Sequence, residues 1–179
     1  MKRYPSDRLR NVALIGHGGA GKTRLAEALL HTAGVTSRFG RVDDGNTLLD
    51  FDPDEIERKM SVQLGIAPLI WREHRITLLD TPGYFDFIGE VHAALRAVEA
   101  AIVVCDAVAG VEVGTELVWR LAERAGLARM VFVSKLDREH ADFEKTIEQL
   151  AATLGRAIVP LELPIGREAD LCGVVDLLT

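Results

Sequence analysis

The sequence predicts an α/β fold, a mostly parallel sheet with helices on both faces, and three observations carry that prediction. Short apolar runs rich in β-formers alternate along the chain with segments of helical spacing. Several of those runs read as strands buried on both sides. The first is joined to the first helix by a glycine-rich turn.

The elements follow in order. Asn11 to Ile15 reads as a buried first strand, and Lys22 to Ala33 as a helix with Leu25, Ala28, Leu29 and Thr32 on one face and Gly34 as its C-cap. Residues 35–60 lose periodicity and carry Gly, Asp and Pro, so a long functional loop is expected there. Val62 to Trp71 and Arg75 to Leu79 read as two strands joined around Glu73 and His74. An amphipathic helix over Phe87 to Ala100, a buried strand over Ala101 to Ala107 and a helix over Glu112 to Ala125 come next. Arg129 to Val133 reads as a strand, Ala141 to Leu154 as a helix ended by Gly155, Ala157 to Pro164 as extended chain, and Val174 to Leu178 as a last strand.

The 179 residues suit one domain. Hydrophobic residues make up 48% and charged residues 27%, a globular balance. A net charge of -6 argues against a main nucleic-acid-gripping surface, and no direct sequence-specific nucleic-acid partner is expected. It leaves room for a phosphate site, which backbone N–H groups and one lysine can form locally. No apolar run approaches the ~18 residues of a membrane span, and the N-terminus lacks a signal-peptide pattern. A cytoplasmic location follows, with Cys105 and Cys172 as buried free thiols. His31, His74, His92 and His140 share no metal-ligand spacing. Trp71 and Trp119 read as packing residues, and Glu112 and Glu116 as pointing at water.

Three motifs carry chemistry. GHGGAGKT, from Gly16 through His17, Gly18, Gly19, Ala20, Gly21 and Lys22 to Thr23, matches G-x-x-x-x-G-K-[ST] between a strand and a helix. This is the phosphate-cradling P-loop, and with it the fold prediction sharpens to a P-loop NTPase. Its backbone N–H groups can face phosphate oxygens, Lys22 can reach the β- and γ-phosphates, and the Thr23 hydroxyl can ligate Mg²⁺. DTPG, from Asp80 through Thr81 and Pro82 to Gly83, follows a strand; Asp80 can hold the magnesium shell and the Gly83 N–H can meet the γ-phosphate. SKLD, with Ser134, Lys135 and Asp137, also follows a strand. The Asp137 carboxylate can accept two N–H bonds from guanine, which adenine lacks, so GTP is selected over ATP, while the Lys135 stem can lie on the base plane. All three motifs sit at strand C-terminal ends, where α/β sheets bind ligands.

Beyond these motifs, DTPGYFDFIGEV and the stretch LDREHADFEKTIEQLAATLG with the later LPIG make the chain resemble the GTPase domain of the translational GTPases, most closely elongation factor G and its paralogues. The resemblance implies a GTP/GDP and Mg²⁺ site and the ribosome as partner. It also implies that Ser61, in ERKMSV where the family reads Arg-Gly-Ile-Thr-Ile, takes the place of a magnesium-ligating threonine. Ser61 alternatively reads as a solvent-facing serine at a strand edge.

The departures set further expectations. Tyr84 stands where the family places a histidine that positions the attacking water, and it either orients that water or simply packs on its neighbours. Ser134 replaces an asparagine and can reach the P-loop backbone or the base, but not both. Gly19 replaces an aspartate, and the family's last guanine-contacting Ser-Ala is missing. Residues 1–179 are therefore read as a translational-type GTPase domain cut short before that motif. Two functions follow: Mg²⁺-dependent GTP hydrolysis, with Lys22, Gly83 and Tyr84 at the reacting phosphate, or a GTP-dependent binding switch that hydrolyses little. A P-loop kinase or ATPase would require Asp137 to be incidental.

Overall fold

A computed structural model describes residues 3–155 and 158–178. Strands β1 (Leu9–Gly16), β2 (Gly65–Trp71), β3 (His74–Asp80), β4 (Ala100–Asp106) and β5 (Ala128–Ser134) form one sheet in the order β2-β3-β1-β4-β5. β2 and β3 pair antiparallel as a hairpin, and every other pair is parallel. Helices α1 (Lys22–Thr32), α2 (Pro53–Arg58), α3 (Ile88–Leu95), α4 (Val113–Arg124) and α5 (Phe143–Leu154) connect or flank them. A separate antiparallel hairpin, β6 (Glu162–Ile165) with β7 (Gly173–Asp176), lies outside the main sheet.

Alternation along β1 divides the core. Ala13 and Ile15 face a cluster with Leu79, Val91, Ala94, Val103, Val118 and Ala122, under α3 and α4. Leu14 faces the other side, with Leu78, Ala26, Leu30, Ala67 and Leu69, under α1. This is the period of two that a sheet covered on both faces requires. The parallel register aligns the C-terminal ends of β1, β3 and β5 along one edge, where the three motifs begin. No helix among the described residues is long and apolar enough to cross a membrane.

Several expectations are corrected. The loop over 35–60 contains α2, a six-residue helix held by a capping box: the Asp52 side chain accepts from Asp54 N–H, and Glu55 reaches back to the Asp52 N–H. β2 begins at Gly65 rather than Val62, because the Val62 and Gln63 N–H groups are taken by the buried Glu55 carboxylate and that of Leu64 by Glu90. α3 ends at Leu95 rather than running to residue 100. Glu99 is drawn to β1, exchanging backbone and side-chain hydrogen bonds with Asn11, and Ala100 enters the sheet opposite Val12. α5 starts at Phe143, after Asp142 caps it through Lys145 N–H. Cys105 is buried but Cys172 is exposed. Trp119 packs against the core under the Arg129 guanidinium, whereas Trp71 is exposed at the end of β2. The expected extended segment from Ala157 begins on a residue outside those described.

Candidate functional site

The P-loop turns because its glycines take conformations other residues resist. Gly16, Gly19 and Gly21 have φ of 154°, 78° and 99°, and a Cβ at Gly16 would lie 2.5 Å from the Val104 carbonyl oxygen. The turn delivers Lys22 and Thr23 to the start of α1, both buried. The Lys22 ammonium donates to the carbonyls of His17 (2.8 Å) and Gly16 (3.2 Å). Burial lowers its pKa to about 8, partly offset by Asp80, Asp50 and Glu112.

A cavity of about 240 Å³ opens here, lined by Gly18, Gly19, Gly21, Lys22, Thr23, Asp50, Lys59, Ser61, Gly83 and Tyr84 among others. The P-loop, the stretch from Val42 to Ser61 and the turn at Gly83 and Tyr84 thus meet at one place. The Thr23 and Ser61 hydroxyls lie 3.1 Å apart, and Ser61 donates to Asp50 Oδ1 at 2.8 Å. Ser61 is therefore tied into the site and is not a solvent-facing edge residue. Asp80, at the end of β3, is 1% exposed, and neither of its carboxylate oxygens has a hydrogen-bond partner among the described residues. Burial pushes its pKa up to about 7, against the lowering pull of the neighbouring Thr23 hydroxyl and Lys22 ammonium.

A buried carboxylate with no partner is costly unless something cationic or hydrogen-bonding meets it. Asp80, Thr23, Ser61 and Asp50 are all oxygen donors, the set a hard divalent ion such as Mg²⁺ prefers. The residues present fit such an ion. They also fit the phosphates beside it, since Lys22 supplies positive charge and P-loop amides supply N–H donors. Asp50 was not foreseen from sequence. Its Oδ2 is buried and unpartnered, and burial raises its pKa despite the Ser61 bond. A single acid in an aperiodic stretch gives no pattern to find it by.

The remaining predicted residues divide. At Gly83 a Cβ would run into the Lys22 ammonium and come within 2.7 Å of Gly18 N and Cα, so the DTPG turn lies directly on the P-loop. Thr81 is turned away, its hydroxyl donating to the Leu14 carbonyl at 2.8 Å, and Pro82 is buried beside it. The His17 ring points to Glu112 (3.3 Å) and edge-on to Phe85, which corrects the reading of Glu112 as solvent-facing; Glu116 pairs with Arg120 one turn along. Ala20 contributes its carbonyl, which accepts from Ser134 Oγ at 2.6 Å. Lys135 takes a left-handed conformation, φ 59°, with its ammonium on the Asp106 carboxylate. Burial alone would raise the Asp106 pKa, but hydrogen bonds from Lys135 and from the Val108 and Ala109 amides together outweigh it and hold the pKa low. Asp137 is exposed, with no hydrogen bond or ion pair among the described residues. No group of His, Cys, Asp and Glu suited to a metal cluster occurs among those residues.

Comparison with known proteins agrees with this geometry. The family model described as the elongation factor Tu GTP binding domain matches residues 7–169. Elongation factor G 2 of Streptomyces coelicolor is 42% identical over 177 residues, covering 99% of this chain and 26% of that protein. Ribosome-releasing factor 2, mitochondrial, of Culex quinquefasciatus is 44% identical over 171 residues, 96% of this chain and 23% of that protein. A solved structure from Thermus thermophilus superposes with a TM-score of 0.89 at 48% identity, over 93% of this chain and 25% of that one. The chain spans about a quarter of the length of the relatives it matches. It belongs to the elongation factor Tu GTP binding domain family, with elongation factor G among its relatives.

Proposed function

We propose that this chain binds GTP and GDP with Mg²⁺ and hydrolyses GTP to GDP and phosphate as the nucleotide-binding part of an elongation-factor-G-like translation factor. The observation that carries the reading is the convergence on one cavity of a buried lysine, two hydroxyls 3.1 Å apart and Asp50 with its unpartnered Oδ2, with the Asp80 carboxylate buried beside Thr23 and Lys22. Thr23 and Ser61 would offer hydroxyl ligands to Mg²⁺, with the Asp80 and Asp50 carboxylates beside them, and the ion would supply neutralisation of the charge developing on phosphate. Lys22 and the P-loop N–H groups from Gly18 to Thr23 hold phosphate charge. Gly83 offers its N–H to the γ-phosphate, and Tyr84 orients the attacking water through its phenol. Asp137 reads the guanine edge, Lys135 flanks the base, and Ser134 braces the loop beneath it.

The family relationship supports the ribosome as partner and stimulator of turnover. Phosphate release by the chain with and without ribosomes tests this. Release that rises with ribosomes is the expected result, and guanine-nucleotide binding with no release under either condition contradicts hydrolysis.

A second reading, a GTP-dependent binding switch with little turnover, is favoured by Tyr84, whose phenol cannot supply the positive charge that an imidazole can. Tyr84→Phe separates the two. A hydrolase using the phenol loses turnover, and a switch does not respond.

A further inference from the structure

We propose that Gly18 is a positioning residue for Tyr84: by carrying no side chain it leaves the seat on which the Tyr84 ring lies over the P-loop, and so sets the rate of GTP hydrolysis. The inference rests on the functional reading above.

Unlike Gly16, Gly19 and Gly21, Gly18 does not have a positive φ, so its backbone would accept any L-residue. The demand for glycine comes from elsewhere. A Cβ on Gly18 would have as its three nearest neighbours three atoms of one ring, Tyr84 Cζ at 3.1 Å and Cε1 and Cε2 at 3.2 Å. That is tighter than ordinary van der Waals contact, so a methyl would push the ring by a few tenths of an ångström. A branched side chain would displace it.

Little else fixes the ring. The Tyr84 backbone is held, its carbonyl accepting from Phe87 N–H at 3.1 Å, and Gly83 is pressed onto Gly18 and Lys22. The side chain itself makes no hydrogen bond, ring stacking or cation–π contact among the described residues, and Tyr84 is 46% exposed. One flank is the P-loop glycine and another is solvent. Both Gly18 and Tyr84 line the cavity that holds Lys22, Thr23 and Ser61. A ring seated there keeps the phenol at the phosphate end of the cavity, where it can bond a water, while the ring limits access of other solvent. A displaced ring does neither.

The test is a double-mutant cycle in the full chain: Gly18→Val, Tyr84→Ala and both together, with Gly18→Ala as a graded step. Gly18→Val and Tyr84→Ala should each lower kcat for GTP about tenfold or more, Gly18→Ala less, with KM moving less than kcat. The double variant should be no slower than the slower single variant. A glycine needed only for close approach of phosphate would raise KM, and its effect would multiply with that of Tyr84→Ala; this result overturns the inference. A second readout does not depend on turnover. With 3-fluorotyrosine incorporated, the chain's two tyrosines, Tyr4 and Tyr84, give separate fluorine resonances. Gly18→Val should shift the Tyr84 signal, and Gly18→Ala should shift it less. A Tyr84 signal unmoved by either substitution overturns the seat even where both variants fold. If the wild-type chain binds GTP but never hydrolyses it, the hydrolysis reading fails, and the fluorine shift still decides the contact.

Discussion

The Ser134 hydroxyl, at the end of β5, donates to the Ala20 carbonyl in the middle of the P-loop across 2.6 Å, tying the candidate base-reading segment to the candidate phosphate cradle. The Cys105 carbonyl lies 3.2 Å from the same hydroxyl, which has one proton and favours the shorter bond. Removing the hydroxyl leaves a buried carbonyl without its donor, at a cost of about 1–2 kcal/mol. Ser134→Ala should therefore weaken GDP binding about 5- to 30-fold, measured with a fluorescent GDP analogue. Affinity equal to wild type would mean that the tie plays no part in shaping the nucleotide site.

Ser61 donates to Asp50 and its hydroxyl lies 3.1 Å from that of Thr23, so on the proposed reading its hydroxyl rather than its bulk serves the site. Ser61→Ala should slow single-turnover GTP hydrolysis about 10- to 100-fold, and Ser61→Thr, which keeps the hydroxyl, should stay within a few-fold of wild type. Equal losses in both variants would point to packing instead of ligation.

Asp80 makes stability depend on pH. Its folded-state pKa of about 7 lies above the ordinary carboxylate value, chiefly through burial. The folded chain thus holds this proton more tightly than the unfolded chain. The contribution is fully present below about pH 4, the unfolded pKa, and is lost as pH rises through 7. In urea unfolding with a chelator present, wild type should lose more stability between pH 5 and pH 8 than Asp80→Asn does. The variant should be the more stable of the two at pH 8, by about 1–3 kcal/mol, while losing Mg²⁺-dependent nucleotide binding. Parallel pH profiles would show that Asp80 is not the group responsible.

Lys59 caps α2 with φ of 53°, a left-handed conformation that costs an L-residue about 1–2 kcal/mol and glycine much less. Lys59→Gly should raise the unfolding free energy by roughly 0.5–1 kcal/mol, after allowance for the greater freedom of glycine in the unfolded chain. Thermal unfolding checks this, and a lower melting temperature would contradict it.

What sequence could reveal follows from how locally each feature is determined. The P-loop was legible because its residue types answer a local demand: positive φ at Gly19 and Gly21, a lysine and a hydroxyl at the helix start. Buried strands such as β4 were legible from unbroken apolar runs. The short helix α2 was not, since six residues give no periodicity and it is held by Asp52 and Glu55 gripping N–H groups at its start and by Glu55 gripping those of Val62 and Gln63 beyond its end. The end of α3 was set by the pairing of Glu99 with Asn11, 88 residues away. Asp50 entered the site only because Ser61 came back to meet it, and the reason for glycine at 18 became visible only once the Tyr84 ring was in place. Each of these depends on contacts distant in the chain or on a three-dimensional fit, which no local pattern records.

The most direct test of the central claim is competition for the site: fluorescent GDP bound to the chain with Mg²⁺, challenged by GTP, GDP and ATP. The account predicts that GTP and GDP displace the probe at similar concentrations, that ATP fails at concentrations about 100-fold higher, and that Asp137→Ala narrows this gap. Displacement by ATP as efficient as by GTP would contradict a guanine-reading site and make Asp137 incidental.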